Sequence, residues 1–137
     1  LSQDSLHMLM TCEPQIKEIG DLISRTDVLL FGIGTAMRMA DQRHIADDVR
    51  KQLVDNHAVG EALGQYCDID GKLIYSTNNI GLSLPDVAKI PNVIAVAGGQ
   101  DKSSAIIGVM RACQKGILII DEQAAEGMRQ LLQISAL

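Results

Sequence analysis

The amino-acid sequence predicts an α/β domain with a mainly parallel sheet and an inserted hairpin. Three apolar runs, at residues 27–31, 93–97 and 116–120, are too short for helices and have the composition of buried strands. Segments with helical periodicity alternate with these runs. Because alternating strands and helices form parallel sheets with right-handed crossovers, the pattern indicates the α/β class.

Residues 93–107 form the stretch around which the predicted sheet is organised. The strand ends at Gly98 and Gly99, and a helix follows. Ligands of open α/β sheets bind at such strand ends, where backbone N–H groups and the helix dipole favour an anion. Lys102 adds a cation, so the pattern favours a phosphate. A strand–glycine–helix turn on its own is more often structural, since every βα unit needs one.

The other elements follow from local signals in chain order. Residues 2–11 have little periodicity and are predicted to be a lead-in, whereas Pro14 favours the start of a helix that runs to about Arg25. Asp101, Ser103 and Asp121 are candidate N-caps. Further helices are predicted at residues 36–40, 45–56, 84–89, 103–113 and after residue 121.

Two motifs in the first half of the chain predict turns. Residues 61–68 and 72–75 flank an Asp-Gly turn, which is a hairpin signal. Gly32 and Gly34 lie in a second turn between a predicted strand and a helix. This is not the dinucleotide fingerprint, because Met37 stands where the third glycine is required.

Composition restricts the class of protein. With 137 residues, 47% of them apolar and 2% aromatic, the chain forms one domain, or part of one, with an aliphatic core. The formal net charge of −5 gives this segment no electrostatic footprint for nucleic acid. No apolar run approaches the ~18 residues of a membrane span, and Leu1 begins no signal peptide. We expect a cytoplasmic domain without a membrane partner, and the missing initial Met suggests a fragment.

Cysteine and histidine residues show no metal-binding pattern. Cys12, Cys67 and Cys113 have no C-x-x-C spacing, and the three histidines are scattered. Reduced, buried thiols are therefore expected, and neither a metal nor a cofactor is predicted.

The order of the motifs resembles a known family. Gly32 and Gly34, the run Gly-Glu-Ala-Leu-Gly at residues 60–64, and above all the string I-A-V-A-G-G-x-x-K-x-x-A-I at residues 94–106 carry the resemblance. The chain resembles the effector-binding domain of SorC/DeoR-type bacterial transcription regulators. The resemblance covers nearly all of the chain after about Pro14.

This resemblance implies a Rossmann-like fold related to sugar-phosphate isomerases such as glucosamine-6-phosphate deaminase, without their catalysis. Residues 1–137 then correspond to the C-terminal part of a sugar-phosphate effector-binding domain. A helix-turn-helix DNA-binding domain and a further phosphate loop precede that part in the family. Operator DNA is therefore expected to be bound only through the missing N-terminal domain.

The resemblance also implies site residues. Lys102 matches the lysine that binds effector phosphate, Glu61 the acidic residue that accepts from sugar hydroxyls, and Arg43 lies where an arginine often binds a phosphate. From sequence alone a local cap or salt bridge explains Glu61 nearly as well. The predicted site is completed by residues of the glycine-bearing turns: Gly32, Gly34, Gly98, Gly99, Gln100 and Asp101.

The function that follows is a phosphosugar-sensing domain of a bacterial transcriptional regulator, a repressor of a glycolytic operon. The resemblance suggests fructose-1,6-bisphosphate or a related glycolytic intermediate as effector, and a homo-oligomer is expected. An alternative is a sugar-phosphate isomerase or deaminase, which needs a general base over the sugar; Glu61 is the one carboxylate that the motif places there. A third is an oligomerisation module whose glycine turns are structural.

Overall fold

The computed structural model describes residues 2–133, which form two small sheets with helices packed against them. The elements in chain order are α1 (Gln3–Cys12), α2 (Pro14–Ser24), β1 (Val28–Gly32), β2 (Gly34–Thr35), α3 (Ala36–Gln42), α4 (Asp47–Asp55), β3 (Gly60–Ala62), β4 (Gln65–Cys67), β5 (Leu73–Ser76), a 3₁₀ turn (Pro85–Lys89), β6 (Asn92–Ala97), a second 3₁₀ turn (Gln100–Lys102), α5 (Ser103–Cys113), β7 (Ile117–Ile120) and α6 (Glu122–Leu131).

A parallel sheet in the order β1-β6-β7 confirms the predicted α/β class. β6 is the central strand: its Ile94 is paired with Leu30 of β1 and with Ile117 of β7. α5 packs on one face of this sheet, where the buried side chains of Ala105, Ile106 and Val109 share a core with those of Phe31, Val93, Ala95 and Ala97.

The opposite face of the parallel sheet is open, and the prediction that all three strands are buried is wrong for this face. Leu30 is 67% exposed, Ile119 53% and Val96 42%. Continuous apolar strands are typical of sheets covered on both faces. Here α5 and the side chain of Ala124 from α6 belong to the same core and cover one face alone.

The first helix corrects the prediction for residues 2–11. These residues form α1 rather than a lead-in, and Ser2 caps the helix by accepting a hydrogen bond from the Ser5 N–H at 3.2 Å. α1 packs against α2 and not on the main core, which explains its weak apolar periodicity. α2 begins at Pro14, as predicted.

A four-stranded antiparallel sheet, in the order β2-β3-β4-β5, extends the predicted hairpin. Gly34 and Thr35 form a strand against β3 instead of a turn. The single strand predicted at residues 61–68 is divided by a two-residue turn at Leu63 and Gly64, whose φ angles are +54° and +78°. Two-residue hairpin turns require positive φ, which leucine rarely adopts, so Leu63 does not indicate a turn at this position.

One of the three predicted helix caps is confirmed, and the other two are wrong. Asp121 caps α6, because its carboxylate accepts a hydrogen bond from the Ala124 N–H at 2.8 Å. Asp101 and Ser103 do not cap α5: Lys102 stands at that position, and the Ser103 hydroxyl donates to the carbonyl of Gln100 at 2.7 Å.

The cysteines agree with the prediction at two of three positions. Cys67 and Cys113 are buried free thiols, and burial raises their pKa values to about 12 and about 11. Cys12, by contrast, is exposed because α1 lies away from the main core. Within residues 2–133 no helix is long and apolar enough to cross a membrane.

Candidate functional site

A cavity of about 360 Å³ lies where β1 ends and the antiparallel sheet begins. It brings together five of the nine predicted site residues, which are Gly32, Gly34, Arg43, Glu61 and Lys102. The remaining wall is mostly apolar and consists of Phe31, Ile33, Met39, Leu63 and Val96.

Glu61 is the buried acidic group of this cavity. It lies in the middle of β3, its side chain is 3% exposed, and its Oε1 accepts a hydrogen bond from Nη2 of Arg43 at 3.0 Å. The same Oε1 accepts from the Gly64 N–H at 2.7 Å. Among residues 2–133 no hydrogen bond ends on Oε2, so this oxygen is available to a ligand. The salt bridge considered for Glu61 is therefore present, and it lies inside the predicted site.

Arg43 forms the exposed half of this ion pair. It follows the last turn of α3 as the C-cap residue, and its side chain is 39% exposed. A guanidinium group carries five donors, of which this ion pair uses one. The remaining donors can bind an anion in the cavity.

Lys102 supplies the second positive charge. It ends the 3₁₀ turn that follows β6, which is the position predicted from the glycine–lysine motif. The side chain is partly buried and, within the described part of the chain, makes no hydrogen bond or ion pair. An ammonium group without a protein partner beside a second cation favours an anionic ligand.

Met39 is a wall residue that sequence reasoning missed. A Cβ at Gly34 would lie 2.4 Å from the Cγ of Met39, so the glycine leaves the space that the methionine side chain fills. The two residues lie five positions apart in the chain and meet where α3 packs against β2. This spacing belongs to no known site motif, so the sequence alone did not single it out.

The Gly98–Gly99 turn is not brought to this cavity. The N–H of Gly99 donates to both carboxylate oxygens of Asp121, at 3.1 and 2.9 Å. The pKa of Asp121 is lowered by the hydrogen bonds from Ala124 and Gly99. One N–H group of this turn, that of Gly99, is thus engaged by the carboxylate of Asp121.

The predicted contacts of four residues, Gly98, Gly99, Gln100 and Asp101, with an effector thus stay a prediction, since none of them lines the cavity. Among residues 2–133 no group of three or more histidine, cysteine, aspartate or glutamate side chains is arranged to hold a metal ion.

Comparison with known sequences identifies the family. The family model of a sugar-binding domain matches residues 1–130. This chain belongs to the sugar-binding domain family of SorC/DeoR-type transcriptional regulators. It is 38% identical over 114 residues to the central glycolytic genes regulator of Bacillus subtilis, a match that covers 83% of this chain and 34% of the relative. The identity to the regulator of the same name from Priestia megaterium is 37% over 123 residues, covering 90% of this chain and 36% of that protein.

Solved structures show the same fold. A SorC family transcriptional regulator from Enterococcus faecalis, 38% identical in sequence, matches with a TM-score of 0.83 over 93% of this chain and 52% of its own. The full-length sorbitol operon regulator SorC from Klebsiella pneumoniae matches with a TM-score of 0.75 at 24% identity, over 93% of this chain and 42% of its own. The chain thus spans about half of the solved domain and about a third of the two curated relatives.

These comparisons confirm the predicted family and fold class. The relatives and structural neighbours are transcriptional regulators with a sugar-binding domain and not enzymes, which agrees with the prediction of a non-catalytic domain.

Proposed function

We propose that this domain binds a phosphorylated sugar in the cavity of Arg43, Glu61 and Lys102, and that it is the effector-sensing part of a repressor of glycolytic genes. The observation that carries the proposal is the placement of Lys102, which has no hydrogen-bond or ion-pair partner among the described residues, beside the ion pair of Arg43 with the buried Glu61. The relatives named as central glycolytic genes regulators suggest fructose-1,6-bisphosphate, or a related glycolytic intermediate, as the effector.

The three polar groups divide the recognition between them. Lys102 binds a phosphate group as a point charge, and Arg43 uses its spare donors for a second anionic oxygen. Oε2 of Glu61 accepts a hydrogen bond from a sugar hydroxyl, which is a neutral donor that a carboxylate does not repel. A ligand that carries both a phosphate group and a hydroxyl group can therefore contact all three polar side chains of the cavity.

Operator DNA and a second copy of the chain complete the proposed partners. With a net charge of −5, this segment has no basic surface to bind the DNA backbone, so DNA binding belongs to another part of the protein. The effector would act on that part through this domain. A second copy of the chain would bind through the open face of the parallel sheet.

The first test removes the unpaired cation. Lys102→Ala in the full-length protein is expected to weaken fructose-1,6-bisphosphate binding roughly ten- to a hundred-fold, as the loss of a charge-assisted hydrogen bond predicts. Titration calorimetry measures the affinity. Lys89→Ala is the matched control, because Lys89 is exposed and pairs with Asp86 away from the cavity. Equal affinities of the Lys102 variant and the unsubstituted protein would remove Lys102 from the site.

The second test separates sugar recognition from phosphate recognition. Glu61→Gln keeps the shape of the side chain and removes its charge, so we expect roughly ten-fold weaker binding of the sugar bisphosphate. Binding of inorganic phosphate is expected not to weaken, since Glu61 repels an anion. A variant that loses phosphate and sugar phosphate affinity equally would show that Glu61 only holds Arg43 in place.

A further inference from the structure

The hydroxyl of Tyr66 is the one buried side-chain nitrogen or oxygen atom within residues 2–133 that has no hydrogen-bond partner. Tyr66 is fully buried, in the middle of β4. Buried polar groups are nearly always paired, because an unpaired one has lost its water without gaining a partner. A donor left without a partner inside a ligand-binding domain therefore requires an explanation.

Strand register places this tyrosine next to the cavity. Glu61 of β3 is directly opposite Tyr66 of β4, and Tyr66 is opposite Tyr75 of β5. Residues directly opposite each other project from the same face of a sheet. Gly34 occupies the corresponding position of β2 and has no side chain. The row across the sheet thus runs from the cavity, through Glu61, to the two tyrosines.

Packing fixes the ring of Tyr66 in this position. The ring belongs to a small core with Ala36 and Ala40 of α3 and Leu53 of α4, and the centroid of the Tyr75 ring is 6.0 Å away. Because apolar groups surround the ring, its hydroxyl cannot turn to solvent. The hydroxyl can form a hydrogen bond only if a polar group moves next to it.

Both members of the Arg43–Glu61 pair act on this hydroxyl. Burial raises the pKa of Tyr66, the negative charge of Glu61 raises the pKa further, and the positive charge of Arg43 opposes that shift. Tyr66 therefore keeps its proton at neutral pH and remains a hydrogen-bond donor on the same face of the sheet as Glu61.

We propose that Tyr66 is a positioning residue of the effector site, whose hydroxyl donates to the Glu61 carboxylate when the spare donors of Arg43 bind a phosphate group of the ligand. The proposal rests on the proposed function. In the free protein Arg43 and the Gly64 N–H stabilise the buried carboxylate. A ligand phosphate that shares the Arg43 guanidinium with Glu61 weakens this stabilisation, and Tyr66 is the buried donor that has no partner within residues 2–133.

The test compares Tyr66→Phe with the control Tyr75→Phe in the full-length protein. Removing an unpartnered hydroxyl should leave the melting temperature of the ligand-free protein unchanged or raise it. Affinity for fructose-1,6-bisphosphate, measured by calorimetry, should fall roughly five- to twenty-fold in the Tyr66 variant, as expected for one lost hydrogen bond to a charged group. It should stay unchanged in the Tyr75 variant.

A spectroscopic readout makes the role specific. A tyrosine that donates to a carboxylate absorbs at longer wavelength, so effector binding should produce a red-shifted difference spectrum. The shift should persist in Tyr75→Phe and disappear in Tyr66→Phe. This readout also decides the question if the Tyr66 variant fails to fold, since a ligand-bound Tyr75→Phe protein without the red shift overturns the proposal.

The two proposals fail in different ways. If the unsubstituted protein binds none of a panel of sugar phosphates, the proposed function is wrong and Tyr66 has no effector to position. If the unsubstituted protein binds and Tyr66→Phe binds equally well, the assignment of Tyr66 alone is overturned.

Discussion

The two faces of the parallel sheet are built from the same kinds of residue, yet one is packed and the other is open. On the packed face Val93 and Ala95 are buried beneath α5. On the open face Leu30, Val96 and Ile119 keep about half of their surface in water, although they alternate with buried or partly buried residues along the same strands. The open face thus has the apolar composition of a core, but it is not buried beneath a helix as the packed face is.

The two faces of the sheet therefore contribute differently to the stability of the fold. Burial beneath α5 stabilises the fold, whereas the open face contributes little as long as it stays in water. The chain spans about half of the solved regulator domain that it matches. Parallel sheets in α/β proteins are normally covered on both faces, so we expect the open face to be buried in the complete protein or in an oligomer.

The largest expected effect is on the packed face. Ile106→Ala removes a fully buried side chain of α5 and should lower the free energy of unfolding by about 2–5 kcal/mol, since it leaves a cavity in the core. Ile119→Ala, on the open face, should change it by no more than about 0.5 kcal/mol. Urea unfolding at low protein concentration measures both. Similar losses for the two variants would show that the open face is buried in solution.

The next expected effect is on association through the open face. We predict that residues 1–137 alone form a homodimer, because contiguous apolar surface of this kind tends to self-associate. Ile119→Lys should weaken the dimer roughly ten-fold or more, since it places a charge where about one apolar side chain is buried. Light scattering over a range of protein concentrations measures the dissociation constant.

A substitution away from this face serves as the control for that prediction. Val54 lies on α4 and is 55% exposed, so Val54→Lys adds the same charge at a site outside the parallel sheet. It should leave the dimer intact. If the unsubstituted chain runs as a clean monomer at high concentration, the open face needs no cover and the prediction is wrong.

The parts of the fold that the sequence predicted are those set by local signals. Pro14 marks the start of α2, Asp121 caps α6, and the glycine–lysine motif places Lys102 in the turn between β6 and α5. In each case the relevant residues lie within a few positions of one another, so the pattern in the chain is itself the cause of the structure.

The parts that the sequence could not predict depend on residues far apart in the chain. The carboxylate of Asp121 occupies the N–H of Gly99, 22 positions earlier, because β7 lies beside β6. Arg43 reaches Glu61, 18 positions later, through the pairing of β2 with β3. The exposure of one sheet face could not be predicted for the same reason. A continuous apolar strand has the same sequence pattern whether one of its faces is covered or both are.

The smallest expected effect concerns the carboxyl ends of the strands, where Asp121 links the end of β7 to the turn after β6. The pKa of Asp121 lies below its ordinary value near 3.8, because the carboxylate accepts hydrogen bonds from the N–H groups of Ala124 and Gly99. A carboxyl group with a lowered folded-state pKa contributes stability above its unfolded pKa, and that contribution disappears as the pH falls through the folded value.

Asp121→Asn, which removes the charge but can still cap α6, should therefore lower the melting temperature slightly at pH 7. The difference from the unsubstituted protein should shrink below about pH 4, because the unfolded chain binds a proton at Asp121 there while the folded carboxylate, with its lowered pKa, binds one only at lower pH. Glu122→Gln is the control, because that neighbouring side chain makes no hydrogen bond within the described residues. Melting curves by circular dichroism at pH 7 and pH 3 measure the difference. A gap between Asp121→Asn and the unsubstituted protein that stays constant with pH would show that the charge of Asp121 does not stabilise the strand ends.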